Sequence, residues 1–105
     1  NGYICIICSI CHVKETREKM KEIIGIGDIL EIFLDCSVSI CSKRDYKNHY
    51  IKAFKGEYDN FIGVTEPYQK SNNIPLILYT GKDSIDKCSR ILFDVSLSFL
   101  QKIHK

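Results

Sequence analysis

The chain has 105 residues, a formal net charge of +2, 45% hydrophobic residues and 27% charged residues. That length suits one small domain with a core of its own, and that balance excludes a chain disordered over most of its length. The charge is too small to argue for nucleic acid or a membrane surface, and no apolar run approaches the ~20 residues that span a bilayer.

With no initiator Met, no visible signal peptide and an apolar run directly after Asn1-Gly2, the sequence reads as an internal fragment or a chain without its front. Residues 3–10 are rich in Ile, Cys and Tyr and bounded by polar residues, which predicts a buried strand leading into a loop. Cys5, Cys8 and Cys11 lie three apart within it, with His12 next. Side chains alternate faces along a strand, so Cys5 and Cys11 face one way and Cys8 the other. A single metal cannot collect ligands from both faces, and the position where a ferredoxin-type site needs its fourth Cys is Lys14. Packing is therefore the expectation, with Cys11-His12 at the strand end as the remaining ligand candidates. The other cysteines, Cys36, Cys41 and Cys88, complete a set of six expected to be reduced core residues.

Residues 14–24 predict a charged helix with Val13, Met20, Ile23 and Ile24 as its apolar side, ended by Gly25 and Gly27. Residues 28–35 predict a second strand bounded by carboxylates. Ser37 can cap a short helix over 38–43. Residues 74–79 predict a third strand, with Pro75 near its start where a missing N–H is tolerated. Thr80-Gly81 is a turn, and Asp83 or Ser84 caps a helix over 84–103 with Ile85, Cys88, Leu92, Val95, Phe99 and Ile103 as its apolar positions. Alternating strands and helices argue for an α/β fold with a parallel sheet and right-handed crossovers. Three strands make a small sheet that needs cover on both faces, so further strands are expected upstream.

The chemistry lies between. Residues 43–55 hold five Lys/Arg and one Asp, and Tyr46, Tyr50 and Phe54 recur every four residues, as a stripe on one helix would. One reading is an amphipathic helix with solvated lysines. The other is a basic flap over an anionic ligand, since ammonium groups on flexible stems neutralise phosphate charge. Single-stranded nucleic acid is a weaker third choice for one short patch. Further on, Gly63 permits a turn or close approach to a ligand. Phe61, in a loop, either plugs the core or stacks on a planar ligand, and composition alone favours the plug.

The ordered run Arg44-Asp45-x-Lys47-x-x-Tyr50-x-Lys52-Ala53-x-x-Gly56-Glu57-x-x-Asn60-Phe61-x-Gly63-Val64-x-x-Pro67-Tyr68 resembles the lid and substrate segment of adenylylsulfate (APS) kinases. Around it, residues 29–36 are similar to that family's F-I-E-V-F-V-D-T strand. Ile40-Cys41-x-x-Arg44-Asp45 is similar to its V-C-x-x-R-D helix, and Arg17-Glu18-Lys19 fits the helix after its substrate loop. The resemblance covers nearly the whole chain and implies the C-terminal part of a P-loop kinase fold, a single partial domain over 1–105. Within it, 3–10 is the strand and start of the substrate loop, 43–68 the lid and substrate segment, and 84–103 the last helix.

The activity implied is transfer of the ATP γ-phosphate to the 3′-hydroxyl of APS, giving PAPS, with ATP and Mg²⁺ as co-substrate and no metal held by this chain's own residues. The resemblance makes Lys47 and Lys52 the catalytic cations, Arg44 and Lys47 the phosphate lid, and Ile10, Cys11, Phe61 and Gly63 the substrate contacts, with Phe61 stacked on the APS adenine. Phosphoryl transfer needs charge neutralisation and alignment more than covalent help, which suits such residues. The partners implied are APS and ATP, without nucleic acid or membrane, in a cytoplasmic homodimer for which fusion to ATP sulfurylase is an allowed architecture.

The sequence also departs from the family. The I-S-P-Y-R substrate loop reads Ile10-Cys11-His12-Val13-Lys14, and lid positions that are Pro, Gly and Leu in the family are Tyr46, Asn48 and His49. Loss of that glycine is expected to stiffen the lid. No G-x-x-x-x-G-K-S/T run occurs in the 105 residues, so a nest of backbone N–H groups for ATP phosphates is not encoded here. Three readings stay open: part of an active APS kinase, a non-catalytic remnant that binds a nucleotide or a protein, and a related kinase with another nucleotide acceptor.

Overall fold

The computed structural model describes residues 2–103. Helix α1 spans Lys14–Ile24 and stops at Gly25, whose φ of 109° lies where a side chain would be strained. A 3₁₀ turn, Ile26–Asp28, leads to strand β1, Ile32–Leu34. Ser37 caps helix α2, Val38–Arg44, by accepting the Ile40 N–H at 3.2 Å. Helix α3, His49–Phe54, follows after a four-residue turn. A long irregular stretch then reaches strand β2, Leu76–Leu78, and the chain ends in helix α4, Ile85–Ile103.

The two strands pair in parallel, Ile32 with Leu76 and Leu34 with Leu78. Such a pair needs a crossover, and everything from α2 to the long stretch lies within it. Helix α4 covers one face. Ser84 accepts the Lys87 N–H at 3.1 Å and sets its start, and Cys88, Ile91 and Val95 pack on Ile32, Leu76 and Leu78. The packed face differs from the predicted one by part of a turn. Ile85 is 85% exposed, and Ile91 takes the inward place expected of Leu92. Among the described residues, no helix is long and apolar enough to cross a membrane.

Three expectations are corrected. Residues 3–10 form no strand, so the described sheet has two strands rather than three. A strand needs a neighbour for its N–H and C=O groups, and none lies beside this stretch among the described residues, where Ile6 is 82% exposed. The cysteines are not a buried set: Cys5 and Cys8 are exposed and only Cys88 is buried. The basic helix over 43–55 is broken. Asp45 Oδ2 accepts the Tyr50 N–H at 2.7 Å, and Asn48 takes φ 59°, so the chain reverses between α2 and α3. Tyr46 consequently leaves the stripe, while Tyr50 and Phe54 keep contact at 6.4 Å.

The buried residue of α1 is a cation. Arg17 is 6% exposed. Its guanidinium donates to the Cys11 carbonyl at 2.7 Å, to the Gln69 carbonyl, and to Ser71 Oγ at 3.0 Å from Nη2. It also lies 3.8 Å from the Glu31 carboxylate and 4.8 Å from the Tyr68 ring centroid. Lys21, one turn along, pairs with Glu31 from the other side. Burial alone would raise the Glu31 carboxyl, but Lys21, Ser71 and Arg17 outweigh it and hold it below the ordinary carboxylate value.

Replacing Arg17 with Met should cost roughly 3–5 kcal/mol, because three acceptors lose their donor inside the protein, and should remove or sharply lower the cooperative thermal melt. An unchanged melting temperature would contradict this account. Glu31, with its folded value lowered, contributes stability that is fully present above its unfolded value of about 4.3. That contribution fades as pH falls through and below that value. Urea midpoints should therefore drop on acidification, and Glu31→Gln should flatten that limb.

Candidate functional site

The carboxyl ends of β1 and β2 open into a cleft whose walls include Leu34, Thr80, Arg44, Lys47 and Tyr50. In parallel α/β sheets this is where ligands bind, since the loops after the strands gather there. The backbone places each group for local reasons. Arg44 is the last residue of α2, and Lys47 lies in the turn that Asp45 and Asn48 shape. Thr80 is held by the turn after β2 and reaches back to the Asp35 carbonyl at 3.5 Å.

The electrostatics favour an anion. Among the described residues, neither Arg44 nor Lys47 makes an ion pair; the Lys47 ammonium rests 5.7 Å from the Tyr46 ring centroid. Asp45 also lines the cleft; its carboxylate accepts the Tyr50 N–H and keeps its charge, so the two cations leave one positive charge in excess. Burial, and then the Cys41 thiol and the Asp45 carboxylate, push the Tyr50 phenol up. Burial and Cys36 raise the Cys41 thiol against the pull of Tyr50 and Arg44. Both groups are neutral at physiological pH, so the cleft keeps its positive sign.

Tyr50 links this cleft to the Phe61 loop. Phe61 meets Tyr50 edge to face at 4.9 Å and stacks on Tyr58 at 5.7 Å and 16°. The Tyr58 hydroxyl lies 2.9 Å from His49 Nδ1. Phe61 is half-buried, with its backbone N–H held by Thr65 Oγ1 at 2.7 Å. Gly63 has φ 94°, and a Cβ there would come within 3.1 Å of Val38, so the turn needs glycine on both counts.

The loop before α1 comes to the same segment. His12 Nε2 lies 2.9 Å from Glu66 Oε2, the His12 carbonyl accepts the Gln69 N–H at 2.9 Å, and the Lys14 N–H donates to Gln69 Oε1 at 3.0 Å. Cys11 stands between this junction and Arg17 with φ 38°, a conformation uncommon for a residue with a Cβ. Ile10 is 65% exposed beside it. The structure thus brings Arg44 and Lys47 together, and joins Cys11 to the Phe61–Gly63 turn through His12 and Glu66. Lys52 leaves α3 into solvent, outside the walls of the cleft. Sequence reasoning did not single out Thr80 or Asp45 for the site. Thr80 was signalled by its place directly after a predicted strand, and Asp45 by its place between two helical segments, where a carboxylate can satisfy free N–H groups. Among the described residues, no three His, Cys, Asp or Glu side chains converge as a metal site would require.

Comparison with known proteins identifies the family of the chain. The family model described as adenylylsulphate kinase matches residues 1–79. The adenylyl-sulfate kinase of Thermodesulfovibrio yellowstonii is 40% identical over 92 residues, covering 87% of this chain and 46% of that protein. That of Acaryochloris marina is 33% identical, covering 96% of this chain and 47% of its own length. That of Bacteroides thetaiotaomicron is 35% identical, covering 97% and 51%. The chain spans about half the length of the curated relatives it matches. No solved structure matches it. With a mixed helix and strand architecture, a small parallel sheet in keeping with a P-loop kinase-like fold, and a family match over most of its length, the chain belongs to the adenylylsulphate kinase family.

Proposed function

We propose that this chain is the lid-bearing, C-terminal part of an adenylyl-sulfate kinase, in which it closes over the phosphates and the acceptor while ATP transfers its γ-phosphate to the 3′-hydroxyl of APS. The observation that carries the reading is the cleft at the carboxyl ends of the parallel strands, where the charges of Arg44 and Lys47 exceed that of Asp45, whose carboxylate is held by the Tyr50 N–H. Both cations suit a phosphoryl group whose charge spreads over its oxygens as the bond to the leaving group lengthens, and their role is to hold that charge and align the acceptor. Lys52, exposed on α3, would have to swing in on lid closure to join them. Phe61 stacks on the adenine of the acceptor, and Gly63 and the Ile10-Cys11 backbone contact it at close range. ATP supplies the phosphoryl group. Mg²⁺, when bound with ATP, supplies further charge neutralisation between the phosphates, and Arg44 and Lys47 are the groups here that complement it. The chain's own 105 residues encode no P-loop, so the ATP phosphates are cradled by residues outside it. A cytoplasmic homodimer, alone or fused to ATP sulfurylase, is the assembly this reading implies.

The altered substrate loop favours a second reading. Cys11 in the left-handed region and His12 held by Glu66 present groups different from the family's serine and proline. An acceptor other than APS would follow from that change, and a panel of nucleotide acceptors separates the two.

The test is a chimera in which this chain replaces the matching region of the Thermodesulfovibrio yellowstonii relative. It should form PAPS from ATP and APS, whereas the 105-residue chain alone should form none, because phosphate positioning supplies most of the rate. A folded chimera without turnover on any acceptor would refute the kinase reading. In the active chimera, Phe61→Ala should weaken apparent APS affinity about ten- to a hundred-fold, the worth of one stacked base, with a much smaller change for ATP. Equal losses for both, with a large fall in melting temperature, would make Phe61 a core plug instead.

A further inference from the structure

Cys36 and Cys41 flank the first turn of α2. Ser37 is its N-cap, so Cys36 is the residue before the cap and Cys41 the fourth residue of the helix. These are the positions of a hydrophobic staple, whose two side chains meet across the turn. Here both are thiols. Cys41 Sγ lies 3.9 Å from the Cys36 carbonyl oxygen, and Cys36, Cys41 and Tyr50 line the same wall of the cleft. On the other side Cys36 Sγ is backed by Gly81, where an added Cβ would lie 3.3 Å away. Both cysteines are half-buried and both open into the cleft of Arg44 and Lys47. Cys88 is enclosed in the core, and Cys5 and Cys8 lie on the exposed stretch before α1.

We propose that Cys36 and Cys41 form a reversible intrachain disulfide on exposure to a low-molecular-weight disulfide such as glutathione disulfide, and that this bond resets the lid. A thiolate of the pair attacks one sulfur of the oxidant. One glutathione leaves as its thiolate, and a mixed disulfide forms. The second cysteine gives up its proton and attacks the protein sulfur of that mixed disulfide, expelling the second glutathione thiolate. Two protein thiols are oxidised by two electrons, glutathione disulfide is reduced to two glutathiones, and the two protons pass to the leaving thiolates. The second attack is intramolecular, across one turn of α2, and that proximity favours ring closure.

The consequence reaches the substrate loop. Oxidation fixes the Cys41 side chain, which shares the cleft wall with Tyr50, and the Tyr50 ring is in edge contact with Phe61. The device stands on the geometry of α2 and does not depend on which nucleotide the cleft accepts.

Tryptic peptide 22–43 carries both cysteines and no internal Lys or Arg, so the test is direct. The reduced chain, equilibrated with mixtures of glutathione and glutathione disulfide, is blocked with N-ethylmaleimide, digested and weighed. The peptide should carry neither maleimide nor glutathione and should be lighter than the dithiol form by two hydrogens, and dithiothreitol should restore labelling at both positions. A variant with Cys5, Cys8 and Cys11 changed to Ser should behave in the same way, whereas Cys36→Ser should leave Cys41 as a maleimide or glutathione adduct. In urea, where the staple is absent, the yield should fall several-fold, and trypsin should cut after Arg44 and Lys47 at a rate several-fold different in the oxidised chain. Two labels on the peptide at every glutathione ratio, in the triple variant as well, would overturn the disulfide. An undiminished yield in urea would overturn its dependence on the fold, and equal cleavage rates its coupling to the lid.

Discussion

A guanidinium carries five N–H donors in a fixed plane and cannot shed its charge, so burying it commits the surrounding chain to supply acceptors. Arg17 makes that demand at 6% exposure. It is met from three directions: the Cys11 carbonyl before α1, the Gln69 carbonyl and Ser71 hydroxyl in the stretch before β2, and Glu31 on the approach to β1. The apolar core is small. Ala53, Leu76, Leu78 and Cys88 are the buried hydrophobic residues among those described. Residues 55–75 are irregular for most of their length, and stretches of that kind are uncommon in compact domains unless they have a function. Arg17, the Tyr68 ring beneath it and the stack of Tyr68 on Phe33 at 5.1 Å tie that stretch to the sheet.

The site inherits its position from this arrangement. With residues 66–71 anchored at Arg17, the loop from Phe61 to Glu66 is drawn towards the Cys11–His12 corner, and Tyr50 carries the connection on to the cleft at the strand ends. Two sorts of contact therefore converge. One is cationic and suited to phosphate, around Arg44 and Lys47. The other is aromatic and suited to a planar base, around Phe61. A nucleotide has both a charged end and a flat end, and the distance between these regions is bridged by one tyrosine.

Much of the fold could be read from local chemistry. Ser37 and Ser84 mark helix starts because a hydroxyl can accept a free N–H, and Gly25 ends α1 because its conformation suits glycine. The crossover order of strand, helices and strand was legible for the same reason. What misled were signals whose meaning depends on a neighbour. Residues 3–10 have strand composition but no pairing strand among the described residues. The aromatic period at Tyr46, Tyr50 and Phe54 is helical in spacing, yet the Asp45 carboxylate competes for the Tyr50 N–H and starts a new helix instead. Arg17 was invisible as a core residue, since a charged side chain on a helix is ordinarily solvated. Only the acceptors that surround it, more than fifty residues away in sequence for Gln69 and Ser71, make burial favourable. Arg44 and Lys47 stood out through the ordered motif, while Lys52, part of the same motif, is not among the walls of the cleft.

Asn48 shows how the turn between α2 and α3 is kept where the glycine is lost. Its φ of 59° and ψ of 29° lie in the left-handed well that a glycine enters freely and asparagine enters more readily than other side-chain-bearing residues. The bend between α2 and α3 is thus kept without glycine. What changes is the unfolded and open ensemble. An asparagine samples fewer backbone states than a glycine, so less entropy is lost when the bend forms, by about 0.4–1 kcal/mol where the geometry is compatible. A turn built on such a joint spends more of its time near the bent form, in the direction that loss of the glycine suggested.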